Sequence, residues 1–508
     1  MIALRKTVFI KNAAVLTVSG LILRFIGIVF KVWLAGSIGA EGMGVHQMIF
    51  SVYVLASTFA AAGICTAVTR LCADELALGG KSGTVYIFKR CCAAVLVISA
   101  VSLLILLFGS NLIASLVIGR KESAAAIRIC SLSLPFMGLC SCFRGYFIAR
   151  RRASPGAFGQ IFEQTVRIGV TVAALKLVGS KGGSASLAAI FLGDTVSEAL
   201  ACLLLFIIYI FDVKKLENKG RALPPYRVMK AVKHIALPIT AGRYLNSVLR
   251  TAENIMVPKF LAKNPLCSSD ALSLFGMIKG MALPILFFPS TLINSISTLL
   301  IPEMSEAAAR GRRGIVRGAA EKTVTLTLAV GLMCGSIFFT CGDKIGALLY
   351  KSDGVGYLLC ALSPIVPLMY LDGVCDGMLK GLDCQRFTFW TALTDSALRL
   401  VLIPLILPVF GVRGFIGIMY FSNFFTCALN GLKLIKVSNA ELDTFKTVFL
   451  PLFLALTSAL LCKTLTSLIP SPSTLFYVIA VCTGTLTLYT VLMFSSKCIT
   501  ADDIRDLL

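Results

Sequence analysis

The residues of this chain that could do chemistry are charges set inside otherwise apolar stretches. Arg24 and Lys31 stand seven apart in one stretch, Arg243 and Arg250 seven apart in another, followed by Glu253, and Lys279 lies in a third. Seven residues make about two helical turns, so each basic pair falls on roughly one face. A cation at mid-bilayer costs at least ~2.5–3.5 kcal/mol on the insertion scale, and should face a water-filled cavity or a partner. Arginine's planar fork holds phosphate oxygens bidentately, so two such stripes facing one another would make a cationic cavity for an anion. The competing reading is snorkelling or local pairing, for which Arg250 and Glu253 have the i,i+3 spacing.

A second set mixes signs. Glu163–Arg167 and Asp395–Arg399 have the same-face i,i+4 spacing of an internal ion pair. Asp194–Glu198 and Asp372–Asp376 are same-face acidic pairs. These positions read either as structural ion pairs or as sites that couple to a proton or another monovalent cation. No catalytic set and no metal or cofactor site is expected. There are two histidines, His46 and His234, and the 18 cysteines sit mostly within apolar runs, as small packing residues and not as zinc ligands or a disulfide framework. A membrane-bound glycosyltransferase or polymerase would need a large extracytoplasmic loop with paired carboxylates, which the sequence lacks. A non-transporting scaffold fits poorly with so many intramembrane charges.

The elements that must position these charges are membrane helices. Hydrophobic residues make up 57% of the 508-residue chain, charged residues 14%, and the mean hydropathy is +0.88, too apolar for a soluble surface. Uninterrupted apolar runs exclude a barrel, whose strands alternate. The runs predict 14 transmembrane helices near 12–36, 44–68, 89–112, 123–148, 156–179, 185–211, 231–258, 272–300, 323–346, 355–379, 386–409, 412–435, 445–468 and 473–496. The first follows Arg5, Lys6 and Lys11 but is longer than a signal-peptide core, and is read as a retained helix. Pro238 and Pro258 flank one helix, while Pro284 with Pro289, and Pro364 with Pro367, interrupt two others.

Lys and Arg collect in alternate gaps, which places those gaps and both termini in the cytoplasm of a multi-pass cell-membrane protein. The net charge of +23 is then loop charge facing anionic membrane lipids, with no nucleic acid involved.

A constant shift of 232 carries Gly44 onto Gly276, Asp74 onto Glu306, Gly145 onto Gly377, Glu163 onto Asp395 and Arg167 onto Arg399. The shift spans six helices, an even number, so the repeat is parallel, an arrangement that transporters place around a central site. The expected fold class is thus an all-α polytopic membrane protein, two parallel six-helix halves around a central cavity plus two C-terminal helices. The bundles are 1–211 and 231–440, joined by a basic cytoplasmic linker over 212–230, with two further helices and a cytoplasmic tail over 441–508.

These residues resemble a known family. Arg24-Phe25-x-Gly27, Gly39-Ala40-Glu41-Gly42-x-Gly44 and Ala62-Gly63-Ile64 are similar to the opening of the stage V sporulation protein B family, within the multidrug/oligosaccharidyl-lipid/polysaccharide exporter superfamily. Arg144-Gly145-Tyr146-Phe147, Pro155, Gln160, Glu163-Gln164 and Arg167 resemble its helix 4–5 region, and Gly381-Leu382 through Arg399 the counterpart in its second half. The resemblance implies a flippase that moves undecaprenyl-pyrophosphate-linked oligosaccharide, lipid II or a similar cell-wall or spore-cortex precursor, across the cytoplasmic membrane by alternating access. Arg24 and Lys31 are the positions that carry over for the pyrophosphate, with Lys279 as the basic residue of a later helix. His46 stands where family members often have tyrosine, so no proton relay carries over to it. Beyond the lipid substrate, the implied partners are cell-wall synthesis proteins. Membrane potential or a monovalent ion would give the cycle direction. The alternative is a cation-coupled multidrug exporter of the same superfamily, whose cavity would be dominated by buried acids.

Overall fold

The computed structural model describes residues 2–61, 63–77, 81–178, 183–216, 225–469, 473–496 and 498. Lys181, Lys219, Arg221, Lys497 and Arg505, which contribute to the loop-charge pattern, lie outside these, as do Pro224 and the rest of 217–224 in the linker. Among the described residues all regular structure is helical. Contacts divide the chain into two compact units, Met1–Ile255 and Met256–Leu508.

The first unit holds α1 (Ile2–Ala61), α2 (Ile64–Ala77), α3 (Lys81–Leu112), α4 (Ala124–Ser131), α5 (Leu134–Ala149), α6 (Ser154–Val178), α7 (Ser184–Lys214) and most of α8 (Pro225–Leu261). At 60 residues α1 as one rod would be roughly 90 Å long, three times the hydrocarbon thickness. It breaks at Gly39, whose φ of 72° is left-handed and suits a residue without Cβ. α8, by contrast, continues as helix through both Pro238 and Pro258.

The core of this unit joins α3, α5 and α7 through aromatic rings. Phe88 stacks on Tyr209 at 4.3 Å between centroids, and Tyr146 meets Tyr209 edge-on at 4.9 Å. Small residues bring the backbones together: a Cβ on Gly145 would lie 2.8 Å from the Cys65 carbonyl oxygen. On the outward face of α3, Phe108 is 79% exposed and Leu112 64%, a surface suited to lipid.

The second unit holds α9 (Ala271–Phe275), α10 (Leu283–Phe287), α11 (Ser290–Ala309), α12 (Arg313–Tyr350), α13 (Asp353–Leu362), α14 (Val366–Gly381), α15 (Gln385–Ser438), α16 (Leu450–Ser467) and α17 (Thr474–Ser495). Pro289 falls where α10 gives way to α11, and Pro364 sits in the 3-10 turn Ser363–Ile365 ahead of α14. The 54-residue α15 is interrupted at Gly411, with φ 55° and ψ −133°. Arg399 and Asp395 both bond Ser422, so the chain folds back on itself at that glycine. Asn264 donates to the carbonyls of Pro408 and Val409 at 3.1 and 3.0 Å, satisfying helix-end acceptors there.

α12 is the centre of this unit and packs against α13, α14, α16 and α17. The Tyr489 hydroxyl donates to the Ala329 carbonyl at 3.1 Å, fastening α17 to α12. A Cβ on Gly346 would stand 2.4 Å from the backbone nitrogen of Gly356 on α13. Neither backbone can yield locally, so Gly346→Ala (G346A) should cost about 1–3 kcal/mol, as other overpacked cores do. A lowered unfolding midpoint in detergent is the expected reading, and an unchanged one would show that α12 and α13 part freely.

Nine helices among the described residues are long and apolar enough to cross a membrane, two of them containing the interruptions at Gly39 and Gly411. The protein is an all-α, multi-pass membrane protein.

Candidate functional site

The basic residues singled out above differ in setting. Arg24, Arg243 and Arg250 are exposed, whereas Lys31 and Lys279 are half-buried. The contacts draw α8 as far as Ile255 into the first unit, so Arg24, Lys31, Arg243 and Arg250 share that unit and Lys279 belongs to the second. α8 runs antiparallel to the later part of α1. Thr251 donates to the Ser51 carbonyl at 3.2 Å, Asn254 to the Ser51 hydroxyl at 2.9 Å, and the Phe59 and Tyr244 rings meet at 5.6 Å. Lys31 and Arg167 both act electrostatically on His46, whose ring stacks between Phe50 and Phe191. Lys279 lies 5.9 Å from the centre of the Phe415 ring. Glu253 is buried.

The mixed-sign residues form networks. In the first unit Arg167 on α6 pairs with Glu163 one turn earlier, at 2.8 Å, and with Asp194 on α7, also at 2.8 Å. Arg144 on α5 reaches the other oxygen of Glu163 at 2.8 Å, and Arg167 also donates to Gln164 at 3.0 Å. One salt-bridged chain thus ties α5, α6 and α7. Glu198, on the Asp194 face of α7, is buried.

In the second unit Arg399 pairs with Asp395 at 2.9 Å, and Ser422, from the returning part of α15, bonds both. Asp372 and Asp376 part company. Asp372 accepts from the Asn430 side chain at 2.8 Å, while Asp376 pairs with Lys380.

Several participants were not singled out for these roles by spacing. Arg144 was visible as a charge within an apolar run. Ser422 and Asn430 were visible only as polar residues in another, though Asn430 stands at the constant shift from Glu198. Asp212, at the end of α7, accepts from Tyr146 at 2.8 Å and Arg150 at 3.0 Å and also pairs with Arg152, binding the ends of α5 and α7. Sequence placed Asp212 in the linker. Among the described residues no group of three or more His, Cys, Asp or Glu is placed to hold a metal ion.

A fold of this kind, with charged networks inside its helical units, can be compared with known proteins. Residues 9–308 match the family model described as polysaccharide biosynthesis protein, more than half of the chain. The chain belongs to this family. It is a transporter family and not one of enzymes. Among curated proteins, stage V sporulation protein B of Bacillus subtilis (strain 168) is 25% identical over 415 residues, covering 80% of each chain. A lipid II flippase of the same organism is 22% identical over 429 residues, covering 78% of this chain and 77% of its own. Among solved structures, a lipid II flippase in an inward-closed conformation superposes with a TM-score of 0.69 at 14% identity, covering 94% of this chain and 98% of its own. Family membership and relatives agree on a membrane transporter related to a lipid II flippase, and the fold is the one that flippase structure shows.

Proposed function

We propose that this transporter is a flippase for undecaprenyl-pyrophosphate-linked oligosaccharide, lipid II or a similar cell-wall or spore-cortex precursor. It spans the cytoplasmic membrane 14 times, as two sets of six helices plus two, with both termini in the cytoplasm. The observation that carries the reading is chemical. Arg24 and Arg250 are exposed side chains on helices of a membrane protein. Guanidinium groups so placed call for water or an anionic partner. The precursor supplies that partner. Its pyrophosphate cannot cross hydrocarbon unaided, since an isolated buried ion costs tens of kcal/mol by Born solvation. Its polyprenyl tail, by contrast, is at home in lipid. A wet path with fixed cations therefore has to carry only the headgroup, and no covalent step is needed. The Bacillus subtilis relatives support this substrate class.

The direct test is reconstitution into liposomes with labelled lipid II and other undecaprenyl-linked sugars. The label should change leaflet with the intact protein and stay in place in protein-free vesicles. Export of a cationic drug with no movement of any such lipid would replace this reading with that of a multidrug exporter.

A further inference from the structure

The first unit's network contains two guanidinium groups and three carboxyl groups. Arg144 and Arg167 serve Glu163 and Asp194, which leaves Glu198 as the surplus acid. The residue is only 8% exposed, and its Oε2 is buried without a hydrogen-bond partner. The Nε of Arg144 is likewise buried without one. These two unsatisfied groups belong to one neighbourhood. The Cys140 thiol lies 3.9 Å from the Glu198 carbonyl oxygen, and Arg144 is one turn beyond Cys140 on α5. Arg144 also acts electrostatically on Glu198. Arg144 thus has an unused donor and Glu198 an unused acceptor within one neighbourhood.

The groups facing Glu198 come from every element packed around it. From α1 comes Tyr53, whose hydroxyl accepts from Ser133 at 2.9 Å. Cys130 of α4 faces Asp194, one turn before Glu198, and donates to the Ile127 carbonyl. Cys140 and Arg144 come from α5, Glu163 and Arg167 from α6, and Asp194 and Cys202 from α7 itself. The cations of this set are Arg144 and Arg167, and the next is Lys31 of α1, which with Arg167 acts on His46. A proton on Glu198 itself would balance the surplus acid without a further ligand.

The second unit supplies a contrast. At the constant shift Cys140 corresponds to Asp372 and Glu198 to Asn430, and those two also touch, at 2.8 Å. Where the second unit carries a permanently neutral amide, the first carries a group that is neutral only with a proton on it.

We propose that Glu198 is a proton-binding site of the transport cycle, loaded while Arg144 holds Glu163 and unloaded when Arg144 turns to Glu198. On unloading, the Glu198 O–H bond breaks and the proton passes to water. The Arg144 guanidinium then moves from one carboxylate to the other, and Glu163 keeps Arg167. Two arrangements of one salt-bridged chain across α5, α6 and α7 give a bistable element that proton binding biases. The proposal rests on the transport reading, but the site itself is testable without any lipid.

Infrared difference spectroscopy on the purified protein in nanodiscs is the first arm. At neutral pH the wild type should show a protonated-carboxyl C=O band that shifts in D2O. Glu198→Gln (E198Q) should remove it, and Asp194→Asn should keep it. Absence of the band in the wild type, or its survival in E198Q, overturns the proposal. The second arm measures lipid movement in liposomes under an imposed pH gradient at zero potential. One coupled proton allows up to about a tenfold response per pH unit, and E198Q should show none. A response to sodium but not to pH overturns it as well. If the band behaves as stated but no lipid moves, the flippase reading fails and the proton site stands.

Discussion

Arg167→Ala (R167A) should yield a protein that barely survives extraction from the membrane. Arg167 contacts both Glu163 and Asp194, and it bridges α6 to α7. Without it Asp194 loses this partner, Glu163 retains Arg144, and Glu198 stays close by. Removing one partner of a buried pair costs about 3–5 kcal/mol, because the remaining charge is stranded. The lower end, roughly 3 kcal/mol, applies here, since a quarter of the Arg167 side chain is exposed. That is a large share of the 5–15 kcal/mol by which typical domains are stable. The measurement is the unfolding midpoint and the monodisperse fraction in detergent. Lysine at 167 should recover only part of the loss, because a point charge cannot hold two carboxylates through a fork. The diagnostic is the triple variant with Glu163→Gln and Asp194→Asn, which removes the stranded charges and should recover most of the stability. A single variant as stable as wild type would mean that the network is solvated and has no hold on α6 and α7.

The network also shows what spacing can and cannot tell. An i,i+4 pair of opposite charges has its partner within reach on the same helix, so Glu163–Arg167 and Asp395–Arg399 were legible and are made at 2.8 and 2.9 Å. Asp372 and Asp376 share the same spacing but go to Asn430 and Lys380. Spacing gives a face, whereas the choice of partner depends on which helix packs there. The link from Arg167 to Asp194 and the approach of Arg144 to Glu163 are of that second kind, and a single sequence does not contain them. The helices were legible for a different reason: hydrocarbon demands long apolar runs regardless of packing. The turns at Gly39 and Gly411 fall in or beside the short gaps the runs left. The attachment of α8 up to Ile255 to the first unit was not legible, because the repeat assigns that helix to the second half by order along the chain, and contacts need not follow order.

Arg24→Ala (R24A) should slow lipid movement severely while leaving the fold intact. The two effects separate because Arg24 is exposed on α1, and no core contact is lost with its guanidinium. A hydrogen bond to a charged group is worth about 1.5–3 kcal/mol, so losing the pyrophosphate contact should reduce transport roughly 10- to 100-fold. Lysine at 24 keeps the charge but not the bidentate fork, and should fall between alanine and arginine. How the loss divides is informative. If Arg24 holds the headgroup equally throughout the crossing, the effect lies in the concentration dependence. If it holds the headgroup more tightly midway, the maximal rate falls instead. The control is an unfolding midpoint equal to wild type. With that control met, flipping at the wild-type rate would remove Arg24 from the headgroup path and leave Lys31, Arg243 and Arg250 as the first-unit cations still able to receive it.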